Sequence, residues 1–164
     1  MTDEMLMEAA LEEARLALLA GELPVGAVVA RGGEILARGR NRREEKSDPT
    51  AHAEIEAIRA AAALLGGWRL TGCALYVTLE PCAMCAGAVV AARLDKVAYG
   101  AGDPAAGCCG SVYRITEDPA FTHYARADGG LLADKCQALL TEFFAARRKG
   151  ENHVEPCGRN RRLD

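Results

Sequence analysis

The chain of 164 residues predicts a single α/β domain. Half of its residues are hydrophobic, which supports one well-cored domain in a length too short for two ordinary ones. Strand-like and helix-like stretches alternate through the middle of the chain, implying parallel pairing and a sheet covered on its faces. Ahead of that alternation, two short strand-like runs flank Gly32-Gly33, the pattern of a tight hairpin.

Asp3 to about Ala20 is rich in Ala, Leu, Met and Glu without Pro or Gly, and Gly21 stands where a helix would stop. Val25 to Arg31 and Glu34 to Arg40 form the expected hairpin, and a polar loop runs from Asn41 to Thr50. Ala53 to Leu65 is strongly helical and closes at Gly66-Gly67. Cys73 to Leu79 reads as a strand, Ala83 to Arg93 as a helix, and Lys96 to Tyr99 as another strand. Gly, Pro and Asp crowd the segment from Gly100 to about Asp128, where loop with short irregular pieces is expected. After Gly129-Gly130, apolar residues recur at helical spacing from Leu131 to Lys149. Residues 1–149 are therefore the expected domain, and 150–164 a polar, disordered tail.

The chemistry lies in two strings, Ala51-His52-Ala53-Glu54 and Pro81-Cys82-Ala83-Met84-Cys85. Imidazole and thiolate are the ligands zinc favours, and catalytic zinc sites keep three protein ligands with the fourth position left to water. His52, Cys82 and Cys85 supply three, and Glu54 is near enough in sequence to handle the protons of that water. Both strings fall at expected helix starts, where free backbone N–H groups and the helix dipole favour thiolate and developing hydroxide. Such a water attacks an electron-poor carbon, and Glu54 can pass its proton to a ring nitrogen and then to a departing amine. This is the proton traffic of hydrolytic deamination. Alone, Cys-x-x-Cys also marks redox pairs and structural zinc ribbons, and His-x-Glu is weaker still. Cys108-Cys109, His123 and His153 are read as structural or surface residues rather than ligands.

A net charge of -3 argues against non-specific binding of polyanions. Arginines nevertheless cluster at Arg38, Arg40, Arg42 and Arg43, at Arg147 and Arg148 with Lys149, and at Arg159, Arg161 and Arg162. Each cluster is either solvated surface or a local contact to nucleic acid. Asp3 and Glu4 open the chain, and no apolar run approaches the roughly 20 residues that span a bilayer, so no export or membrane insertion is expected. An odd count of seven cysteines, two of them thiolate ligands, points to a reducing, cytoplasmic compartment.

His-x-Glu followed by Pro-Cys-x-x-Cys is the signature shared by zinc deaminases of nucleobases. Further strings are Pro24-Val25-Gly26-Ala27-Val28, Asn41, Asp48-Pro49-Thr50, Thr78-Leu79-Glu80, Ala86-Gly87-Ala88 and Gly110-Ser111. With these, the chain resembles the bacterial tRNA-specific adenosine deaminases of the cytidine deaminase-like superfamily, from the first helix to Arg148. The resemblance implies a three-layer α/β/α fold whose mixed five-stranded sheet is covered by helices. It implies a homodimer that hydrolyses the wobble adenosine of a tRNA anticodon stem-loop to inosine. By the same resemblance one zinc ion per subunit is bound by His52, Cys82 and Cys85, and Glu54 is the proton shuttle. Asn41 would hydrogen-bond the flipped base, with Leu23 flanking its pocket. Asp103 would approach the RNA backbone, where a carboxylate can accept from a ribose 2′-hydroxyl. Phe144 would lie near the anticodon loop, with Arg147 and Arg148 meeting phosphates. Gly102 and Ala105 depart from the commonly charged residues of relatives and leave the Asp103 loop less positive.

Two other functions share these features. A free-base deaminase acting on guanine or cytosine carries the same ligand strings, and a non-catalytic, zinc-stabilised RNA-binding module would use the three ligands for folding alone.

Overall fold

The computed structural model describes residues 1–150. Arg159, Arg161, Arg162, His153 and the rest of the expected tail from residue 151 lie outside the described residues. Helix α1 covers Asp3–Leu19, with the Thr2 hydroxyl capping it by accepting from Met5 N–H at 3.2 Å. The hairpin follows as β1, Gly26–Arg31, and β2, Glu34–Arg40. A short α2, Arg43–Lys46, precedes α3, Ala53–Leu65, which ends on Gly66 at φ +70° as the double glycine predicts. Next come β3 (Cys73–Leu79), α4 (Ala83–Ala91), β4 (Lys96–Ala101), a 3-10 turn at Ile115–Glu117, β5 (Arg126–Asp128) and α5 (Ala133–Lys149).

The five strands form one mixed sheet in the order β2-β1-β3-β4-β5. β1 runs antiparallel to β2 and β3, while β3, β4 and β5 are parallel. Strand alternation sends successive side chains to opposite faces. Ala27, Val29, Leu75, Val77 and Val97 enter a core with α3 and α4, whereas Val28, Ala30, Tyr76 and Ala98 enter a second core with α1 and α5. The expected three-layer α/β/α architecture with a mixed five-stranded sheet is present.

Three details differ from the sequence pattern. β4 continues two residues past Tyr99, because Ala101 still pairs with Leu79 and accepts from Glu80 N–H. α4 stops two residues before Arg93, which takes φ +61° without being glycine. β5 is a three-residue edge strand within the expected loop. Its Arg-Ala-Asp has no apolar alternation, so pairing with β4 alone makes it a strand.

Candidate active site

His52 and Cys82 occupy the N-cap positions of α3 and α4, and neither side chain caps its own helix. Both are thus free for another partner. Cys85 lies one turn into α4 and is fully buried. His52 Nδ1 sits 3.7 Å from Cys82 Sγ and 3.5 Å from Cys85 Sγ, and the three ligand atoms lie within 4.8 Å of one another. Zinc–sulfur and zinc–nitrogen bonds at a tetrahedral angle place N and S about 3.6 Å apart, so the spacing fits a tetrahedral ion. Among the described residues no other group of His, Cys and carboxylates gathers this way.

The protonation pattern also fits a cation. Cys82 is pushed down to about 3, because the Cys85 thiol and then the His52 ring donate to its thiolate. Cys85 is pushed far up, first by that same hydrogen bond to Cys82 and then by burial. His52 is raised by its bond to Cys82. Two adjacent thiolates without a positive charge must keep a proton between them, and a divalent cation held by His52, Cys82 and Cys85 would take that proton's place.

Glu54, in the first turn of α3, is 4% exposed. Burial raises its carboxyl to about 7, the range in which a group can both take and give a proton near neutrality. A cavity of about 160 Å³ opens over it, lined by His52, Cys82, Glu54, Asn41, Leu23 and Asp103, and also by Val25, Ala53, Leu79, Ala106, Arg43 and Glu80. Six of the sequence-predicted residues therefore converge on one space.

Asn41 is 6% exposed, and its Oδ1 accepts Arg43 N–H at 3.1 Å. Its carbonyl oxygen serves the loop, leaving the NH₂ as a donor on the cavity wall. Asp103 Oδ1 accepts from Ala105 and Ala106 N–H at 3.0 and 3.1 Å, so this residue shapes its own turn while lining the cavity. Phe144 and Arg147 line a second cavity of about 270 Å³, which shares Leu23, Asn41 and Arg43 with the first. Phe143 is buried and Phe144 half exposed, as one inward and one outward aromatic require. Arg148 is exposed and lines neither cavity.

The first arginine cluster is largely paired with acids: Arg38 with Glu12 at 3.0 Å, Arg40 with Glu13 at 3.7 Å, Arg42 with Glu45 at 2.8 Å. Cys108 and Cys109 are buried, with thiols raised first by burial, which makes them inert. His123 is half-buried rather than superficial, with Nε2 2.6 Å from the Leu94 carbonyl oxygen. No helix among the described residues is long and apolar enough to cross a membrane.

Two buried carboxylates beside the cavities have roles that escaped sequence reasoning. Glu22 accepts from Glu44 N–H at 2.7 Å and Glu45 N–H at 3.3 Å, fixing α2 beside Asn41. Glu80 holds the loop that carries Asp103. The sequence offered one signal for each, an acidic residue beside Leu23-Pro24 or before Pro81 in otherwise apolar surroundings.

A candidate three-ligand metal site at two converging helix N-termini, with a buried glutamate beside it on a mixed sheet, fits a deaminase of the cytidine deaminase-like class. The MafB19-like deaminase family model matches residues 1–147. The chain is 47% identical over 147 residues to the tRNA-specific adenosine deaminase of Bacillus subtilis, covering 90% of this chain and 91% of that one. It belongs to the family of the tRNA-specific adenosine deaminases. A solved structure from studies of A-to-I editing by tRNA:A34 deaminases at the wobble position superposes with a TM-score of 0.80 at 45% identity, covering 83% of this chain and 99% of that chain. The guanine deaminase of Nitrosomonas europaea superposes with a TM-score of 0.77 at 28% identity, covering 87% of this chain and 84% of that one.

Proposed function

We propose that the protein hydrolytically deaminates the wobble adenosine of a tRNA anticodon stem-loop to inosine, with one zinc ion per subunit held by His52, Cys82 and Cys85. The observation that carries the substrate is the second cavity. It shares Leu23, Asn41 and Arg43 with the first and adds Phe144 and Arg147 to its lining, an extension a free base would not need. An aromatic face and a guanidinium are what a neighbouring nucleotide and its phosphate require.

Zinc, when bound, lowers the pKa of the attacking water. Leu23 and Asn41 receive and orient the base, with the Asn41 NH₂ donating to a ring acceptor. The Glu54 carboxylate takes a proton from the water that adds to C6, places it on ring N1, and then serves the departing amine. One water is consumed and one ammonia released. Burial of Glu54 keeps bulk water from short-circuiting these transfers. Cytoplasmic location and a homodimer belong to the same reading; light scattering at twice the chain mass checks the second.

The deciding experiment is turnover of a stem-loop with wobble adenosine by parent and Glu54→Gln. The parent should form inosine, and the variant should keep stoichiometric zinc while kcat falls by about 10²- to 10⁴-fold. A variant as fast as the parent would remove Glu54 from the mechanism. Turnover of free guanine with none on RNA would favour the free-base reading, and zinc-dependent folding without any deamination the non-catalytic module.

A further inference from the structure

Glu80 lies between the end of β3 and Pro81-Cys82, so its backbone is continuous with a metal ligand. It is 2% exposed, and no Lys or Arg pairs with it among the described residues. All of its side-chain partners come from residues 103–111. Oε1 accepts from Asp103 N–H at 3.2 Å and from the Ser111 hydroxyl. Oε2 accepts from Cys109 N–H at 3.1 Å and Ser111 N–H at 3.0 Å. Backbone bonds flank this cluster, with Glu80 N–H donating to Ala101 and Cys108 N–H to Pro81, each at 2.8 Å. The loop wraps tightly: a Cβ on Gly107 would fall 2.6 Å from the Asp103 carbonyl oxygen and closer still to the Glu80 carboxylate.

Hydrogen bonds to an ionised acceptor are the stronger class, and a buried carboxylate stripped of its donors is heavily penalised. Glu80 is satisfied only while the loop keeps this one arrangement. That arrangement puts Asp103 and Ala106 on the wall of the metal cavity.

We propose that Glu80 is a positioning residue for substrate, holding the Asp103 loop in register with the metal-ligand turn and so governing substrate affinity, while the ligands and Glu54 govern rate. The inference rests on the anticodon stem-loop being the substrate. A purely structural staple would change stability and the active fraction, leaving the KM of the folded enzyme alone.

The test is steady-state kinetics of the zinc-loaded full chain on the wobble-adenosine stem-loop, comparing parent, Glu80→Gln, Ser111→Ala and the double variant. Glu80→Gln turns one acceptor oxygen into a donor facing donors. Its KM should rise about tenfold or more with kcat within about threefold and zinc still stoichiometric. Ser111→Ala should move KM the same way by less, and the double variant should be no worse than Glu80→Gln, because the hydroxyl acts through that carboxylate. Should Glu80→Gln not fold, Ser111→Ala and Gly107→Ala carry the same KM prediction. An active parent whose variants keep its KM, or lose kcat only in proportion to lost zinc, overturns the inference alone. A parent that forms no inosine overturns the substrate assignment and the inference with it.

Discussion

Replacing Gly39 by alanine should weaken binding of the proposed zinc ion from a position that touches none of its three candidate ligands. Gly39 lies in β2, opposite Ala27 of β1, with the first turn of α3 packed directly upon it. A Cβ there would come 2.5 Å from the Ala57 amide nitrogen and closer to the Ala53 carbonyl oxygen, whereas ordinary contact begins at 3.4 Å. Both obstacles are helix backbone and cannot swing aside, so α3 must lift by about 1 Å to clear the nearer one. His52 stands at the N-cap position of that turn, and its spacing to the two sulfurs already matches a tetrahedral ion. Zinc sites tolerate about 0.2 Å in ligand distance, several times less than the lift, although rotation of the imidazole recovers part of it. Overpacking should cost about 1–3 kcal/mol, lowering Tm by about 2–10 °C. Zinc affinity should fall about 10- to 100-fold, the range seen when support around a metal ligand is lost. Competition with a chromogenic chelator measures the affinity, and melts of loaded and metal-free protein separate packing from metal. Gly67→Ala is the control, since a Cβ there meets nothing within 4 Å. Parent affinity and Tm in Gly39→Ala would refute the idea that this close approach places His52.

The two adjacent phenylalanines should separate by readout. Phe143→Ala, which empties a buried site under the Arg147 guanidinium, should cost about 3–5 kcal/mol in denaturant melts. Phe144→Ala should change stability by no more than about 0.5 kcal/mol, yet raise KM for the stem-loop about 5- to 100-fold by removing a stacking face. Asp3 accepts from Lys96 Nζ at 2.8 Å and from the Tyr76 hydroxyl at 2.7 Å, and these two bonds hold its carboxyl below the usual value. A depressed folded-state pKa stabilises above the unfolded value of about 3.9 and is lost as pH falls through the folded one. Asp3 is half open to solvent, so Asp3→Asn should cost only about 0.2–1 kcal/mol at neutral pH. The two melting curves should converge once pH has fallen through the folded-state value of Asp3; a difference persisting there would assign the effect to shape rather than charge.

Periodicity and punctuation determined most of the fold before any tertiary contact was known. The helix closed by Gly66, the hairpin across Gly32-Gly33, and the strand and helix either side of Pro81 follow from local rules, because each element carries its own stop signal and apolar pattern. The candidate ligand cluster was legible for a related reason. The chemistry demands particular side chains at fixed short spacings, and short spacings survive in the linear text. Asn41 and Phe144 were reached only through resemblance to a family, since an asparagine in a loop and a phenylalanine in a helix have common structural uses. Tertiary structure alone decided the rest. β5 is a strand because β4 offers it free N–H and C=O groups, and Arg43 reaches the cavity because Glu22 builds α2 beside Asn41. Glu22 and Glu80 find their donors more than 20 residues away. A buried carboxylate is defined by what surrounds it, and the sequence states the charge without stating which loop will fold around it.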